Sequence, residues 1–271
     1  MESPQLTGVQ ETLLWPLYNR AAEARRPDAR LHDPDSVRIA DAIQYDYARS
    51  FGAPDFGHPL RSLLIDAALR DWLRQNPGGQ VVALGEGLET QFLRVDNGQV
   101  AWLSVDLPEA IDLRRRFIPD TERHRNLACS AVDFRWMDEV DVGKPTFITA
   151  AGLLMYLEPD AVRQLIAEIA GRFSDVQMIF DIVPRWAVRK SQRGWQKTRW
   201  YRVPTMPWGL DRNELQSMRA WHPNIREIRE LNYSGGRGFA YSVLLPLFRK
   251  LPWMGNKAPS LVQLICHGIA E

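Results

Sequence analysis

The sequence contains few of the features that mark several common classes of protein. Only two cysteines occur among 271 residues, Cys129 and Cys266, and each lies in an apolar run. We therefore expect buried, reduced thiols and no metal site. The formal net charge is +1, from 34 basic and 33 acidic residues. Because general nucleic-acid binding needs a strong basic excess, this balance argues against a nucleic-acid partner.

Long apolar stretches are absent as well. No window reaches the ~18 consecutive apolar residues of a membrane span. The first ten residues, MESPQLTGVQ, have neither the basic nor the apolar region of a signal peptide. We expect a cytoplasmic protein that acts on a small molecule and does not bind membranes. Hydrophobic residues make up 45% of the chain, which suits one large α/β domain over residues 1–271.

Short apolar runs alternate with helical patterns along most of the chain. The predicted strands are 81–84, 100–105, 126–130, 146–150, 176–181, 225–231 and 261–267, and the predicted helices are 10–27, 35–50, 60–72, 89–94, 108–117, 158–170 and 211–220. Strands joined by crossover helices form parallel sheets. The pattern predicts an α/β fold with a doubly wound, mostly parallel, seven-stranded Rossmann-like sheet.

The first predicted strand leads into a glycine turn. Gly85 and Gly87 directly follow the apolar run 81–84. Glycines between a strand and a helix let a ligand approach the backbone and its free N–H groups. Asp106 ends the next strand, about 20 residues further on, where nucleotide-binding αβ units place a carboxylate on ribose hydroxyls. The turn and this acid together predict a cofactor that contains adenosine.

The composition of the turn favours one such cofactor over another. A nicotinamide dehydrogenase would carry a third glycine, but residues 88–90 after Gly87 read LET. Glu86 and Glu89 would repel a cofactor rich in phosphates. S-adenosyl-L-methionine (SAM) has no phosphate and carries a positive sulfonium, so acids at the turn are tolerated or favourable. The residues therefore predict a SAM-binding protein.

Four segments have the motifs and spacing of a known family. They are LGEGLETQFLRVDNG (84–98), SVDLPEAIDLRRRF (104–117), CSAVDFRWMDEV (129–140) and AAGLLMYLEPDAV (150–162). Together they resemble the leucine carboxyl methyltransferase family, and within it the bacterial branch of tetracenomycin-type polyketide O-methyltransferases. The resemblance extends from about Tyr18 to Pro207. It implies a class I methyltransferase that uses SAM and releases S-adenosyl-L-homocysteine, under a helical N-terminal cover formed by residues 1–58.

The resemblance also implies which residues hold the cofactor. The matching positions are Arg61, Gly85, Glu86, Gly87, Asp106, Leu107, Asp133, Phe134 and Ala150. In the family pattern, Arg61 matches an arginine that holds the methionine carboxylate of SAM. Asp106 matches the acid that takes both ribose hydroxyls. Asp133 matches a carboxylate that accepts from the exocyclic amine of adenine.

The sequence departs from the family pattern at Ala151, where many relatives carry glutamate. Without that carboxylate, the SAM ammonium needs another acceptor, such as a backbone carbonyl or Glu86. Each assigned residue also has a structural alternative. Asp106 could cap the helix that follows it, and Asp133 could be a solvated acid in a loop. Arg61 could form a salt bridge at the surface, and the glycines could belong to an ordinary tight turn.

The segment 184–209 is the predicted substrate cap. It contains seven basic residues and no acid, interleaved with aromatic side chains. The candidate acceptor-binding residues are Arg185, Trp186, Arg199, Trp200 and Tyr201 in this segment, Tyr18 and Arg20 in the N-terminal cover, and Tyr156. Cations and aromatic rings in this pattern suit an aromatic anion. The alternative is a solvated basic helix with tryptophans docked on the core.

The chemistry of the acceptor follows from its need for a base. A carboxylate is ionised at pH 7, whereas a phenol with a pKa near 10 benefits from a general base. His58 precedes Pro59, His124 lies in a basic loop, and His222 and His267 have contexts more typical of structural histidines, so no catalytic residue is assigned. We therefore expect a small aromatic or polyketide-like acceptor, methylated on a carboxylate. The alternatives are a phenolic O-methyltransferase and a SAM-binding protein without turnover.

Overall fold

The computed structural model describes residues 8–231, 236–238, 243–244, 247 and 255–267. Seven strands form one sheet: β1 (Gln80–Leu84), β2 (Ala101–Asp106), β3 (His124–Ala128), β4 (Thr146–Ala150), β5 (Asp175–Ile182), β6 (Ile225–Leu231) and β7 (Ser260–His267). Their order is β3-β2-β1-β4-β5-β7-β6. β1 to β5 pair in parallel, and β7 pairs antiparallel with β5 and β6. The predicted doubly wound, mostly parallel sheet is confirmed.

Eight α-helices and four 3₁₀ helices appear in the described part of the chain. The α-helices are α1 (Leu14–Ala24), α2 (Pro34–Ala42), α3 (Tyr47–Phe51), α4 (Gly57–Gln75), α5 (Gln91–Val95), α6 (Pro108–Phe117), α7 (Pro159–Arg172) and α8 (Arg185–Gln192). The 3₁₀ helices are Gln10–Leu13, Phe134–Glu139, Leu154–Tyr156 and Arg212–Trp221. None of the helices described is long and apolar enough to cross a membrane.

The apolar run of β1 is buried on both faces of the sheet. Val81 and Ala83 pack in a cluster with α4, whereas Val82 and Leu84 pack in a cluster with α7. Side chains alternate between the faces along a strand, and helices cover both faces of a doubly wound sheet. The strand is therefore a continuous apolar run, and that run was enough to locate it in the sequence.

The single helix predicted over residues 35–50 is wrong. α2 ends at Ala42, and Ile43 is extended with φ −89° and ψ 120°. Asp46 then caps a separate helix, because its carboxylate accepts from the backbone N–H of Arg49 at 3.0 Å. An acid inside a helical pattern was therefore a start signal for the next helix.

Both cysteines are free thiols. Cys266 is buried in β7, and burial raises the pKa of its thiol to about 12. Cys129 is partly buried, and its pKa is also raised by burial. Neither thiol is activated as a nucleophile, in agreement with the expected structural role.

The N-terminal helices pack on the segment predicted as a substrate cap. Leu14, Leu17 and Phe51 share a hydrophobic cluster with Tyr201 and Met206. Residues 8–58 and 184–209 therefore meet above the carboxyl ends of the strands. The division of the chain into a cover, a core and a cap stays a prediction.

A buried cluster of charges, here called the ion cluster, joins the cover to the glycine turn. It comprises Arg20 of α1, Asp33 before α2, Asp66 of α4, Glu89 of the turn and Arg94 of α5. Asp33 lies 3.3 Å from Arg20 and 3.0 Å from Arg94. Glu89 lies 2.9 Å from Arg20 and 2.7 Å from Arg94, and Arg94 also contacts Asp66 at 2.7 Å. Burial alone would raise the pKa of Glu89, but the two arginines hold it well below its ordinary range.

We predict that Asp33→Asn lowers the free energy of unfolding by about 1–3 kcal/mol, because the buried guanidinium groups of Arg20 and Arg94 lose an ionised acceptor. Asparagine keeps the cap of α2, in which the side chain accepts from Ser36 N–H at 3.0 Å. Urea denaturation measures the change. Asp35→Asn is the matched control, since Asp35 pairs with Arg38 at the surface and should cost less than about 1 kcal/mol. Equal stability of the two variants would contradict the role of the ion cluster.

Candidate active site

A cavity of about 500 Å³ opens where the parallel strands end. Gly85, Asp106, Ala151 and Asp181 line it, from the carboxyl ends of β1, β2, β4 and β5. The strand order reverses between β1 and β4, with β2 and β3 on one side and β5 on the other. Open α/β sheets bind ligands in the crevice at such a switch point. The cavity is therefore in the position expected for the cofactor.

The glycine turn brings the backbone to the cavity wall. Gly85 and Gly87 have φ of +62° and +53°, a region that disfavours other residues. A Cβ on Gly85 would lie 2.9 Å from the Leu153 side chain, and one on Gly87 would lie 3.0 Å from Leu13 Cβ. The turn thus requires glycine for both conformation and space.

Asp106, at the end of β2, stabilises this turn through hydrogen bonds to its carboxylate. One carboxylate oxygen accepts from Gly87 N–H at 2.7 Å, and the other accepts from Leu107 N–H at 2.7 Å. Burial raises the pKa of Asp106, and the two N–H bonds oppose that change. Two lone-pair sites remain for hydroxyl donors. Leu107, whose side chain is exposed, also lines the cavity and precedes α6 without a side-chain cap.

Glu86 has its own counter-charge. Its carboxylate lies 3.0 Å from Arg114 Nη2, and Trp102 Nε1 donates to it at 3.4 Å. Burial raises the pKa of Glu86, while Arg114 acts in the opposite direction. Arg114 also donates to the carbonyl oxygens of Gly87 and Glu89, at 3.0 and 2.6 Å. The arginine of α6 thus holds the turn and compensates the acid within it.

One face of α4 forms a wall of the cavity. His58, Arg61, Ser62 and Ile65 line it at helical spacing. The Arg61 side chain is 9% exposed and lies 2.8 Å from Asp181, so its ion pair belongs to the cavity rather than to the open surface. The predicted role of Arg61 toward SAM remains a prediction, and the geometry is compatible with it.

The end of β4 presents alternating residues to the cavity. Thr149 and Ala151 line it, whereas Ala150 is buried in the opposite cluster. The family resemblance placed both Ala150 and Ala151 beside the amino group of SAM, and the sequence-based assignment of cofactor residues included Ala150. Alternation along the strand instead puts Thr149 and Ala151 on the cavity side.

The expected adenine residues lie beside the cavity lining. Ser130 and Ala131 line the cavity, but Asp133 and Phe134 are not among its lining residues. The Asp133 carboxylate caps the following 3₁₀ helix and accepts from Arg135 Nε at 2.9 Å, a bond that lowers its pKa. Phe134 is partly buried and packs against the core. Their contact with adenine stays a prediction.

Two of the proposed acceptor residues line the cavity, and two more support its wall. Arg20 and Tyr156 are lining residues. Tyr18 donates to the Gly52 carbonyl at 3.3 Å. Tyr201 is buried, with its ring centroid 4.8 Å from that of Phe51. Tyr18 therefore packs within the cover, and Tyr201 packs against it.

The remaining acceptor candidates lie outside the cavity lining. Arg185 pairs with Glu214 at 2.7 Å. Trp186 is 40% exposed, and its indole donates to the Lys257 carbonyl at 2.9 Å. Trp200 is 52% exposed, with the guanidinium groups of Arg49 and Arg199 at 3.7 and 4.6 Å from its ring. This arrangement is close to the alternative of a basic surface with docked tryptophans.

The sequence analysis missed several lining residues, among them Trp15, His58, Asp181 and Met206. His58 had a usable signal, because it lies one helical turn before Arg61. Asp181 had one too, because it falls at the carboxyl end of a correctly predicted strand. Met206 carried none, since its position depends on how the segment 184–209 folds back over the sheet.

His58 is a partly buried imidazole in the cavity wall. Its Nδ1 lies 2.8 Å from Asn19 Nδ2, and Asn19 Oδ1 accepts from Asp55 N–H at 3.4 Å. An amide nitrogen only donates, so Nδ1 accepts and the neutral ring carries its proton on Nε2. Burial, assisted by Arg61 and Arg20, holds the pKa of His58 well below its ordinary value.

The strand order, the glycine turn and the acid that ends β2 define an S-adenosyl-L-methionine-dependent methyltransferase. The sequence profile of the leucine carboxyl methyltransferase family matches residues 14–170. The chain belongs to this family. The family and the cofactor predicted from the sequence are both confirmed.

Two relatives share most of this region. The tetracenomycin polyketide synthesis O-methyltransferase TcmP of Streptomyces glaucescens is 30% identical over 69% of this chain and 71% of its own. The S-adenosyl-L-methionine-dependent methyltransferase dpfgK of Gibberella zeae is 28% identical over 63% of each chain. Among solved structures, the CurJ carbon methyltransferase superposes with a TM-score of 0.54 at 9% identity, covering 96% of this chain and 70% of its own. That likeness supports the fold alone.

The cavity suits a cationic adenosine cofactor. Among the described residues, four carboxylates and two arginines, Arg20 and Arg61, line it, while Arg94 and Arg114 pair with Glu89 and Glu86 from outside the lining. Carboxylate oxygens in the wall are acceptors for the hydroxyl and ammonium groups of such a cofactor. Asp106 retains lone pairs for the ribose, and the glycine turn leaves room beside it.

We predict that Asp106→Ala weakens S-adenosyl-L-homocysteine binding by about 1.5–3 kcal/mol, the scale of hydrogen bonds to a charged group. The variant loses the acceptor for ribose hydroxyls and also the bond to Gly87 N–H. Isothermal titration calorimetry measures the change. Asp112→Ala, at an exposed position of α6, is the control and should bind as the unmodified protein does. If a folded Asp106→Ala protein binds S-adenosyl-L-homocysteine with unchanged affinity, the role of Asp106 is purely structural.

Proposed function

We propose that this methyltransferase transfers the methyl group to a carboxylate oxygen of a small aromatic, polyketide-like acid. The observation that carries the proposal is the state of His58, the imidazole among the cavity-lining residues described. Its depressed pKa makes it a weak base. Tyr156, which also lines the cavity, has a pKa raised by burial to about 12. A carboxylate acceptor needs neither group to take a proton.

The chemistry of the cavity wall supports an aromatic acceptor. Trp15, Tyr156, Val183 and Met206 line it beyond the glycine turn. Aromatic rings and a methionine provide apolar area that adapts to a flat ring system. TcmP, the relative whose name places it in tetracenomycin polyketide synthesis, supports a polyketide-like molecule and an oxygen acceptor.

The residues of the chain have positioning roles in this mechanism. SAM supplies an activated methyl group on a sulfonium when it is bound. Asp106 and the glycine turn orient the adenosine end, and the N-terminal cover excludes water from the cavity. Because a carboxylate is ionised near pH 7, the remaining task is alignment of its oxygen with the methyl carbon. His58 Nε2–H is a neutral donor in the same cavity, able to hold a carboxylate oxygen in place.

The segment 184–209 is proposed to act on the acceptor mainly through its end that enters the cavity. Met206 supplies the lining contact. Its backbone N–H donates to Ser191 Oγ at 2.9 Å, which ties the end of the segment back to α8 at its start. Surface contacts are the remaining way in which four residues of the segment could bind the methyl acceptor: Arg185, Trp186, Arg199 and Trp200.

We predict that kcat stays constant within about twofold between about pH 6.5 and 9, because both the acceptor carboxylate and His58 keep one protonation state in that range. The assay follows methyl transfer from SAM to a panel of hydroxylated aromatic acids, with the product identified by mass spectrometry. A methyl ester is cleaved by mild alkali, whereas an aryl ether is not. A rate rising about tenfold per pH unit, with an alkali-stable product, would favour the phenol alternative. Cofactor binding without product from any acid would favour a protein without turnover.

We predict that Met206→Ala raises the acceptor KM about three- to tenfold, because the variant loses apolar contact area in the cavity. S-adenosyl-L-homocysteine affinity should stay within twofold. Arg199→Glu is the comparison, since its guanidinium stacks on Trp200 at the surface and screened charges contribute little. An increase in KM for Arg199→Glu, with none for Met206→Ala, would show that the acceptor contacts the surface cations instead.

A further inference from the structure

The amino-acid end of SAM carries an ammonium and a carboxylate, and both need partners in the cavity. Four carboxylates line the cavity among the described residues: Glu86, Glu89, Asp106 and Asp181. Glu86 lies against Arg114, and Glu89 is held between Arg20 and Arg94. Asp106 bonds to the N–H groups of Gly87 and Leu107 at the end of β2. Asp181 accepts from one arginine and one N–H group, retains lone-pair sites in the cavity wall and is the candidate for the ammonium that lies next to Arg61.

Asp181 is placed beside Ala151 by the register of two parallel strands. Ala150 of β4 pairs with Phe180 of β5, so the next residues, Ala151 and Asp181, are neighbours at the cavity edge. Paired strands are about 4.8 Å apart. An alanine at the end of β4 offers no acceptor, whereas the neighbouring strand offers a carboxylate within reach of the same space.

The contacts of Asp181 pair it with a cation and leave part of it available. Oδ2 accepts from Arg61 Nη1 at 2.8 Å, and Oδ1 accepts from Gly152 N–H at 2.6 Å. Each carboxylate oxygen has two lone-pair sites, so each can accept a further hydrogen bond. The side chain is 15% exposed and lines the cavity, so a ligand can reach it. The two bonds also fix the direction in which the carboxylate points.

We propose that Asp181 binds the α-ammonium of SAM, beside Arg61, the residue that the family resemblance assigns to the α-carboxylate. The Asp181 carboxylate faces the ammonium of the ligand, and the Arg61 guanidinium faces its carboxylate. The two side chains together carry no net charge. Paired charges in a largely buried cavity hold a zwitterion without leaving an uncompensated ion. The inference concerns the cofactor and does not depend on the identity of the acceptor.

The test is calorimetry of Asp181→Asn with three ligands. They are S-adenosyl-L-homocysteine, its analogue in which hydrogen replaces the amino group, and 5′-methylthioadenosine, which lacks the whole amino-acid end. Asparagine keeps an oxygen that can accept from Gly152 N–H. Asp175→Asn is the matched control, because Asp175 lies at the opposite end of β5 and contacts His267 at the surface.

The unmodified protein should bind S-adenosyl-L-homocysteine at least tenfold more tightly than the deaminated analogue, as expected for a charge-assisted hydrogen bond. In Asp181→Asn this preference should disappear, with affinity for 5′-methylthioadenosine unchanged within threefold. Asp175→Asn should keep the preference. Equal binding of the two long ligands by the unmodified protein would overturn the proposal. So would an Asp181→Asn protein that loses affinity for all three ligands alike, because that pattern indicates a structural role.

A second variant tests the assignment by moving the carboxylate back across the two strands. In the Asp181→Asn background, Ala151→Glu places an acid on β4 beside the same space. The preference is the ratio of the dissociation constants of the deaminated analogue and S-adenosyl-L-homocysteine. We expect the double variant to recover at least half of the lost preference on a logarithmic scale. Affinity for 5′-methylthioadenosine shows whether the double variant is folded. If it is folded and the preference is not restored, the result counts against an ammonium site at this edge of the sheet.

Discussion

The ion cluster is the interaction on which the rest of the structure depends. Asp33 and Glu89 lie between two arginines, and those arginines come from different elements, Arg20 from α1 and Arg94 from α5. Removing the Asp33 carboxylate deprives both buried arginines of an ionised acceptor, at a cost of about 1–3 kcal/mol. The cover therefore cannot detach from the glycine turn without breaking the ion pairs of Arg20 with Glu89 and of Arg94 with Asp33. Closure over the cofactor and stability of the fold are coupled in this way.

The same principle of local compensation shapes the cavity. Glu86 has Arg114, and Asp181 has Arg61. In the described part of the chain no arginine pairs with Asp106, which instead bonds to two backbone N–H groups. The acids at the turn are thus held in fixed directions by donors from α4, α6 and the backbone. Their remaining lone pairs can accept from the hydroxyl and ammonium groups of the cofactor.

Local patterns predicted the elements whose structure is determined locally. The strands and the turn at Gly85 were found because buried parallel strands are continuous apolar runs followed by glycine. The break between α2 and α3 was missed because its signal, Asp46, is a single cap within a helical pattern. The direction of the side chains in 184–209 depends on contacts with the cover and with Glu214, which no local pattern contains. Asp181 joins the cavity through pairing of β4 and β5, a contact between distant segments.

A crystal structure of the protein with S-adenosyl-L-homocysteine tests the central claim most directly, namely that this cavity is the cofactor site and that its paired acids orient the ligand. The account predicts ribose hydroxyls within hydrogen-bond distance of Asp106, and the amino-acid end lying between Arg61 and Asp181. Density for the ligand outside the crevice, or an ammonium that contacts Glu86 or a carbonyl in place of Asp181, would contradict it.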